Sequence, residues 1–298
     1  MRIASLVPSA TEMAFALGLG PEVVAVTHEC DHPPEVAKLA RITASEIPED
    51  LPPAEIDRRV GERVASGLSL YRLDTDRLAE LEVDLILTQA VCAVCAVSYD
   101  DVRAVAGRLP NRPRVLSLDP RRLTEVFADA VAVAEAAGRR EVGVELEREL
   151  RARVEAVREA TAAAPKPRVA AIEWLDPPYV AGHWLPEMIE AAGGVDPLAN
   201  PGERSRTLEW EEIAAARPEA AVVMPCGLYC HNALRETERH RSELAALGVE
   251  RAWAVDAASS FSRPGPRLAD GVELLGHLLH PELVEAPASL EWAALELG

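Results

Sequence analysis

Cysteine and histidine residues follow several predicted strands of this sequence. His28 and Cys30 come directly after one strand. Cys92 and Cys95 form a C-x-x-C pair after another strand, and Cys226 follows a third. Thiolates and imidazoles are the ligands that zinc and iron–sulfur centres take in proteins. Because the carboxyl ends of parallel strands lie along one edge of a sheet, we predict that at least three of these thiols share a metal, or that two of them form a disulfide.

Each thiol segment also has an ordinary structural interpretation. The C-x-x-C pair is compatible with a redox pair, with half of a metal site, or with two small buried residues, because cysteine packs like a small apolar residue. The run from His28 to His32 is equally compatible with a polar loop that carries one buried cysteine. The total of five cysteines is odd, and their clustering at strand ends favours reduced thiols or metal ligands over a disulfide framework.

Aromatic side chains concentrate in one later segment, although only 4% of the residues are aromatic. Trp174, Tyr179, His183 and Trp184 lie in a predicted loop that follows a strand. Such a group of rings is suited to stacking against a flat apolar ligand. The alternative for each tryptophan is a hydrophobic plug between a helix and the sheet.

Composition and charge limit the classes of partner. The chain has 298 residues, of which 49% are hydrophobic and 27% charged, and its formal net charge is -18. A field of this sign repels phosphate backbones and anionic lipid, so we expect no binding to nucleic acid or to a membrane surface. The sequence contains no run of 18 apolar residues, so we also expect no membrane insertion. The length is sufficient for two modest cores.

A long amphipathic helix is predicted over Arg139–Ala164. Its apolar positions recur at intervals of four, four, four and three residues, which places them on one stripe of a helix. These apolar residues are Val142, Leu146, Leu150, Val154 and Val157.

A similar pattern occurs before and after this helix. Leu73–Gln89 and Leu208–Met224 align without a gap at an offset of 135, and each reads as a short helix followed by a buried strand. A helix–strand unit repeated on both sides of a long helix is typical of two related α/β lobes. Two ordinary helix–strand units in a single α/β domain are the alternative.

The predicted organisation is an N-terminal α/β lobe over 1–138, a connecting helix over 139–164, a C-terminal α/β lobe over 165–284 and a tail over 285–298. The chain opens with a predicted strand over Arg2–Val7 and a helix over Thr11–Leu17. Ser9 or Thr11 is expected to cap that helix.

With these elements in place, the sequence resembles the helical-backbone class of ABC-transporter substrate-binding proteins, which captures cobalamin, heme and iron siderophores. The likeness is strongest to cobalamin-binding members. It implies two Rossmann-like lobes joined by a single long helix, with a ligand cleft between the lobes. Besides the repeat and the long helix, the segments that carry it are Arg2–Gly20, Gly182–Gly194 and Ser262–Leu268.

The resemblance implies a binding protein without a catalytic step, which takes up a corrinoid or related metal chelate for an ABC permease. Stacking would hold the ring, and an arginine would hold anionic side groups. The expected ligand-binding residues are Ser9, Glu29, Trp174, His183, Trp184, Phe261 and Arg263.

The alternative function is a cytoplasmic metalloprotein on the same fold. In it the four cysteines named above, with His28 or His231, would hold zinc or an iron–sulfur centre. No Ser/His/Asp or paired-carboxylate arrangement stands out, so no reaction is assigned and we expect no enzyme.

The start of the sequence bears on location. The first predicted strand begins at Arg2, and no apolar segment typical of a signal peptide precedes it. We therefore expect a cytoplasmic protein as the chain is written, or an extracytoplasmic one if an export signal has been removed.

Overall fold

The computed structural model describes residues 1–48, 51, 53–66, 68–90 and 97–297. The chain divides into two compact units. The N-terminal unit comprises Met1–Pro120 and Phe127–Glu147, and the C-terminal unit comprises Arg121–Val126 and Arg148–Gly298.

The N-terminal unit is built on a five-stranded sheet whose described pairings are all parallel. The fourth and fifth strands of the chain form a separate two-stranded antiparallel sheet. In chain order the elements are β1 (Ile3–Ser5), α1 (Pro8–Ala16), β2 (Val23–Val26), β3 (Ala40–Arg41), β4 (Thr43–Ser45), α2 (Pro53–Ala65), β5 (Tyr71–Leu73), α3 (Thr75–Glu80), β6 (Leu85–Thr88), α4 (Tyr99–Arg108), β7 (Arg114–Ser117), α5 (Leu123–Ala136) and α6 (Arg140–Thr161). The sheet order is β3-β2-β1-β6-β7.

The C-terminal unit has a six-stranded mixed sheet in the order β10-β9-β8-β11-β12-β13. Its central strands β8, β11 and β12 are parallel. The elements are β8 (Val169–Leu175), β9 (Pro178–Val180), α7 (Leu185–Ala191), β10 (Arg206–Thr207), α8 (Trp210–Ala215), β11 (Ala220–Val223), α9 (Cys230–Arg239), α10 (Arg241–Ala246), β12 (Arg251–Val255), α11 (Ala257–Ser260), α12 (Leu268–Leu279) and β13 (Trp292–Ala294). The predicted α/β class is confirmed.

The long helix α6 begins one residue after its predicted start and ends three residues before its predicted end. Leu150, Val154 and Val157 of its predicted apolar stripe are buried and Leu146 is partly buried. Val142, the first residue of the predicted stripe, is exposed. Gly143 permits close packing near the start of the helix, because a Cβ there would lie 2.6 Å from the carbonyl oxygen of Ala130 on α5. None of the helices in the described ranges combines the length and apolar character that a membrane-spanning segment requires.

The repeat predicted at an offset of 135 is also present. In each unit a short helix, α3 or α8, leads into a buried strand, β6 or β11, that pairs in parallel with the first strand of its own sheet. Both connections pass through one residue with positive φ, Glu82 (46°) and Arg217 (49°), and these two positions are related by the same offset.

Two local predictions are wrong. The first helix begins at Pro8, with Val7 as its N-cap, so Ser9 and Thr11 lie inside the helix and neither caps it. Proline is favourable in the first turn because it has no N–H group to leave unpaired. The segment predicted as a tail contributes β13, which pairs antiparallel with β12 and forms the edge of the sheet.

Candidate ligand-binding site

The carboxyl ends of the parallel strands define where each sheet presents functional side chains. In the N-terminal unit the chain runs from β1 to β2 and β3 on one side, and to β6 and β7 on the other. Ligands of open α/β sheets bind at such a reversal of strand order. Ser9 lies beside it, in the first turn of α1, and is 5% exposed.

The loop after β2 forms a polar cluster with the two-stranded sheet of β4 and β5. Nδ1 of His28 lies 2.7 Å from Oγ1 of Thr43, whose hydroxyl also donates to Oγ1 of Thr27 at 2.7 Å. The ring of Tyr71 lies 5.6 Å from that of His28, and its hydroxyl donates to Glu29 at 3.2 Å. Hydrogen bonds from β4 and β5 therefore hold the predicted site residues His28 and Glu29.

Cys30 belongs to the core of the N-terminal unit. It is 2% exposed, and its sulfur lies 3.0 Å from Oγ1 of Thr11. The guanidinium of Arg41 donates to the carbonyl oxygens of Thr27 and Cys30. These contacts fit a buried structural cysteine in a fixed loop.

The predicted metal site is incomplete within the described part of the chain. Cys92 and Cys95 lie outside the described residues. Cys226 follows β11 in the C-terminal unit and is exposed, whereas Cys30 is a core residue of the other unit. Within the described ranges, no three His, Cys, Asp or Glu side chains are grouped closely enough to hold a metal ion. A shared thiol site stays a prediction.

The aromatic residues of the C-terminal unit differ in exposure. Trp174 is half-buried near the end of β8, and its Nε1 donates to the carbonyl oxygen of Asp176 at 3.1 Å. β8 lies between β11, with which it pairs in parallel, and β9, with which it pairs antiparallel. Trp174 therefore lies near the carboxyl end of a parallel strand, the edge at which open α/β sheets bind ligands.

Trp184 and Phe261 are buried residues of the C-terminal unit. Their exposed fractions are 5% and 1%, and Nε1 of Trp184 donates to the carbonyl oxygen of Phe261 at 2.8 Å. In this structure both rings pack in the interior, so neither offers a face for stacking. Burial of Trp184 agrees with the alternative in which this tryptophan packs in the hydrophobic interior.

His183 is half-buried and adopts a positive φ of 54°. Its ring centroid lies 5.5 Å from that of Trp184, and its Nδ1 atom is buried without a hydrogen-bond partner among the described residues. Burial lowers the pKa of the imidazole, and the charges of Arg204 and Arg121 lower it further. These effects on the pKa all favour the neutral form of the His183 imidazole.

Arg263 is half-buried in the segment that follows α11. This segment contacts the loop after β11, because the backbone N–H of Gly227 donates to Oγ of Ser262 at 3.3 Å. The carboxylate of Asp256 caps α11 by accepting from the backbone N–H and the hydroxyl of Ser259. The carboxyl ends of β11 and β12 thereby position Arg263.

Some residues of the candidate site were not predicted from the sequence. Thr43 and Tyr71 surround His28, and Arg121 and Arg204 lie near His183. Sequence spacing gives no signal for these neighbours, because the pairing of β4 with β5 and contacts between loops bring them together.

Comparison with known proteins agrees with this architecture. Residues 3–246 match the model of the family described as periplasmic binding protein. The chain is 24% identical over 275 residues to the vitamin B12-binding protein of Vibrio cholerae serotype O1, covering 91% of this chain and 86% of that protein. It is 25% identical over 288 residues to an uncharacterized ABC transporter substrate-binding lipoprotein of Bacillus subtilis (strain 168), covering 94% and 80%.

The fold is also similar to solved structures. A periplasmic heme binding protein from Pseudomonas aeruginosa superposes with a TM-score of 0.73 and 18% identity, covering 100% of this chain and 99% of that one. The predicted fold class and family resemblance are confirmed, and the family consists of solute-binding proteins, not enzymes. The chain belongs to the periplasmic binding protein family.

Proposed function

We propose that this substrate-binding protein captures a corrinoid, or a related metal chelate, for an ABC uptake system. The observation that carries the proposal is the half-buried indole of Trp174 near the carboxyl end of the parallel strand β8 in the C-terminal sheet. A flat macrocycle buries a large apolar area when it stacks on an indole. The relationship to a vitamin B12-binding protein over 91% of the chain supports the corrinoid as the first choice.

Polar side chains near the strand ends would bind the periphery of the ligand. We assign Ser9 and Glu29 to hydrogen bonds with amide or hydroxyl groups, and Arg263 to anionic groups. His183 and Trp174 lie in the same β8–α7 region of the C-terminal unit. Trp184 and Phe261 are buried, so they would contribute packing beneath the ligand-contacting residues and no direct ligand contact.

The proposal includes metal chelates other than corrinoids, because the fold is shared with a heme binding protein. A corrin and a porphyrin both present a flat ring, so stacking alone does not select between them. Peripheral charge and the axial ligands of the metal distinguish the two. We also propose that the chain acts outside the cytoplasmic membrane together with a permease, as expected for this family.

The test is a pair of measurements on the purified protein. The first is the ultraviolet–visible spectrum and metal content of protein prepared without added ligand. The second is calorimetric titration with cyanocobalamin and, separately, with hemin. Saturable binding of cyanocobalamin at one site per chain supports the corrinoid. Binding of hemin alone moves the assignment to a porphyrin, and stoichiometric zinc or iron without a macrocycle contradicts the proposal.

A further inference from the structure

Two loops of the C-terminal unit are joined at His183. The backbone N–H of His183 donates to the carbonyl oxygen of Glu203 at 2.5 Å, and the N–H of Gly202 donates to the carbonyl oxygen of His183 at 2.8 Å. The loops approach so closely at Gly182 that a Cβ there would lie 2.5 Å from the carbonyl oxygen of Glu203. The backbone on both sides of the imidazole is therefore fixed.

A third segment is attached to the same place. The carboxylate of Glu187 accepts from the guanidinium of Arg122 at 3.0 Å and from the backbone N–H of Leu123 at 2.6 Å. Arg122 also donates to the carbonyl oxygen of Pro201 at 3.4 Å. These bonds connect the residues before α5 to α7 and to the loop that carries Arg204.

The result is a local excess of positive charge. Arg121 and Arg204 are exposed, and both act electrostatically on His183. Within the described ranges neither guanidinium forms an ion pair, whereas the adjacent Arg122 is paired with Glu187. The carboxylate of Glu203 is bound by the side-chain amide of Asn200 at 2.9 Å. Two unpaired arginines around one imidazole are unexpected in a chain with 49 acidic and 31 basic residues.

We propose that Arg121, Arg204 and His183 form a subsite for an anionic group of the ligand, a carboxylate or a phosphate. The subsite lies wholly within the C-terminal unit. This inference deepens the proposed function and rests on it, because it assumes that the captured chelate reaches His183. It assigns the ligand to chelates that carry peripheral negative charge.

The chemistry of the three side chains suits this role. Arginine forms strong charge-assisted hydrogen bonds with carboxylate and phosphate oxygens. The buried Nδ1 atom of His183 lacks a partner among the described residues, and an imidazole is able to donate or accept at each nitrogen according to its protonation. A bound anion favours the protonated imidazole, so anion binding and proton uptake by His183 are linked.

Sulfate is a suitable probe, because it does not depend on the identity of the macrocycle. The pKa of His183 is measured by NMR with increasing sodium sulfate, and with sodium chloride at matched ionic strength to account for screening. The variants are the double substitution Arg121→Gln with Arg204→Gln, and Arg235→Gln as control. Arg235 is also exposed, and it lies on α9 of the same unit.

We expect sulfate to raise the pKa of His183 above the chloride reference in the wild type and in the control. In the double variant the apparent sulfate affinity falls about tenfold, as expected for lost hydrogen bonds to a charged group. An equal response in all three proteins, or no response beyond chloride in the wild type, overturns the subsite. Failure to bind cyanocobalamin and hemin would instead contradict the proposed function, and the sulfate result stands apart from it.

Discussion

The carboxylate of Asp84 accepts a hydrogen bond from the backbone N–H of Arg2 at 2.8 Å, immediately before β1. The same bond occurs in the other unit, where Glu219 accepts from the backbone N–H of Arg168 at 2.9 Å, immediately before β8. Asp84 and Glu219 are related by the repeat offset of 135. Each carboxylate thus connects the start of the repeated strand to the start of the first strand in its sheet.

We expect Asp84→Ala and Glu219→Ala each to lower the free energy of unfolding by about 1 kcal/mol, because each removes one charge-assisted hydrogen bond at an exposed position. Chemical denaturation of the two single variants measures this. Glu282→Ala, which changes an exposed carboxylate outside the repeat, serves as control. If the control loses as much stability as the two variants, the repeated bond has no special role.

Substitution of Gly143 tests the close packing of α5 and α6 in the N-terminal unit. A Cβ at this position would lie 2.6 Å from the carbonyl oxygen of Ala130 and 2.7 Å from Cβ of Ala134. We expect Gly143→Ala to destabilise the protein by roughly 1 to 3 kcal/mol, as overpacking does in well-packed interiors. At Gly107 on α4 an added Cβ meets nothing within 4 Å.

Gly107→Ala is therefore the matched control, and it should stabilise the helix by about 0.5 to 1 kcal/mol because alanine has the higher helix propensity. Thermal unfolding of both variants gives the comparison. A stabilising effect of Gly143→Ala would contradict the close approach of the two helices.

The sequence predicted the elements that depend on local pattern. The apolar stripe of α6 and the repeated helix–strand units are visible in the spacing of apolar residues within a single segment. The edge strand β13 was not predicted, because its three residues form a strand only by pairing with β12. Its pattern is too short to indicate a strand without that partner.

The candidate site was less predictable for a similar reason. Aromatic residue type indicated Trp174 and Trp184 equally, but the hydrogen bond to Phe261 and burial distinguish Trp184 as an interior residue. Arg121 and Arg204 are 83 positions apart, and only the contacts of the intervening loops place both near His183. Residue type predicts available chemistry, whereas tertiary contacts decide which side chains share a site.

Asp196 should give the C-terminal unit a distinct pH dependence. Burial raises the pKa of its carboxyl from 3.8 to about 6, against the lowering effect of hydrogen bonds from the backbone N–H groups of Leu198 and Ala199 and of the charge on Arg206. Between about pH 4 and pH 6 the folded protein retains a proton on Asp196 that the unfolded chain has released. This carboxyl therefore makes the free energy of unfolding fall as pH rises through that window.

Asp196→Asn keeps a side-chain oxygen that accepts from Leu198 and Ala199 but does not titrate. The unfolding free energy of this variant minus that of the wild type should increase by about 2 to 3 kcal/mol across the window. Urea denaturation at several pH values measures the difference. A difference that stays constant with pH would show that the Asp196 carboxyl titrates normally.

Trp174 provides the most direct test of ligand stacking in the C-terminal unit. Its indole is half-buried near the end of β8, with Nε1 bonded to the carbonyl oxygen of Asp176. Replacement by alanine removes the stacking surface, so we expect affinity for cyanocobalamin or hemin, whichever binds the wild type, to weaken by roughly 1 to 3 kcal/mol. Trp292→Ala is the control, because Trp292 is also half-buried but lies on the edge strand β13 against His277.

Calorimetric titration should show weakened binding in Trp174→Ala and near-normal binding in Trp292→Ala, with both variants folded by circular dichroism. Equal affinity in the Trp174 variant and the wild type would assign this indole to packing and remove it from the proposed site.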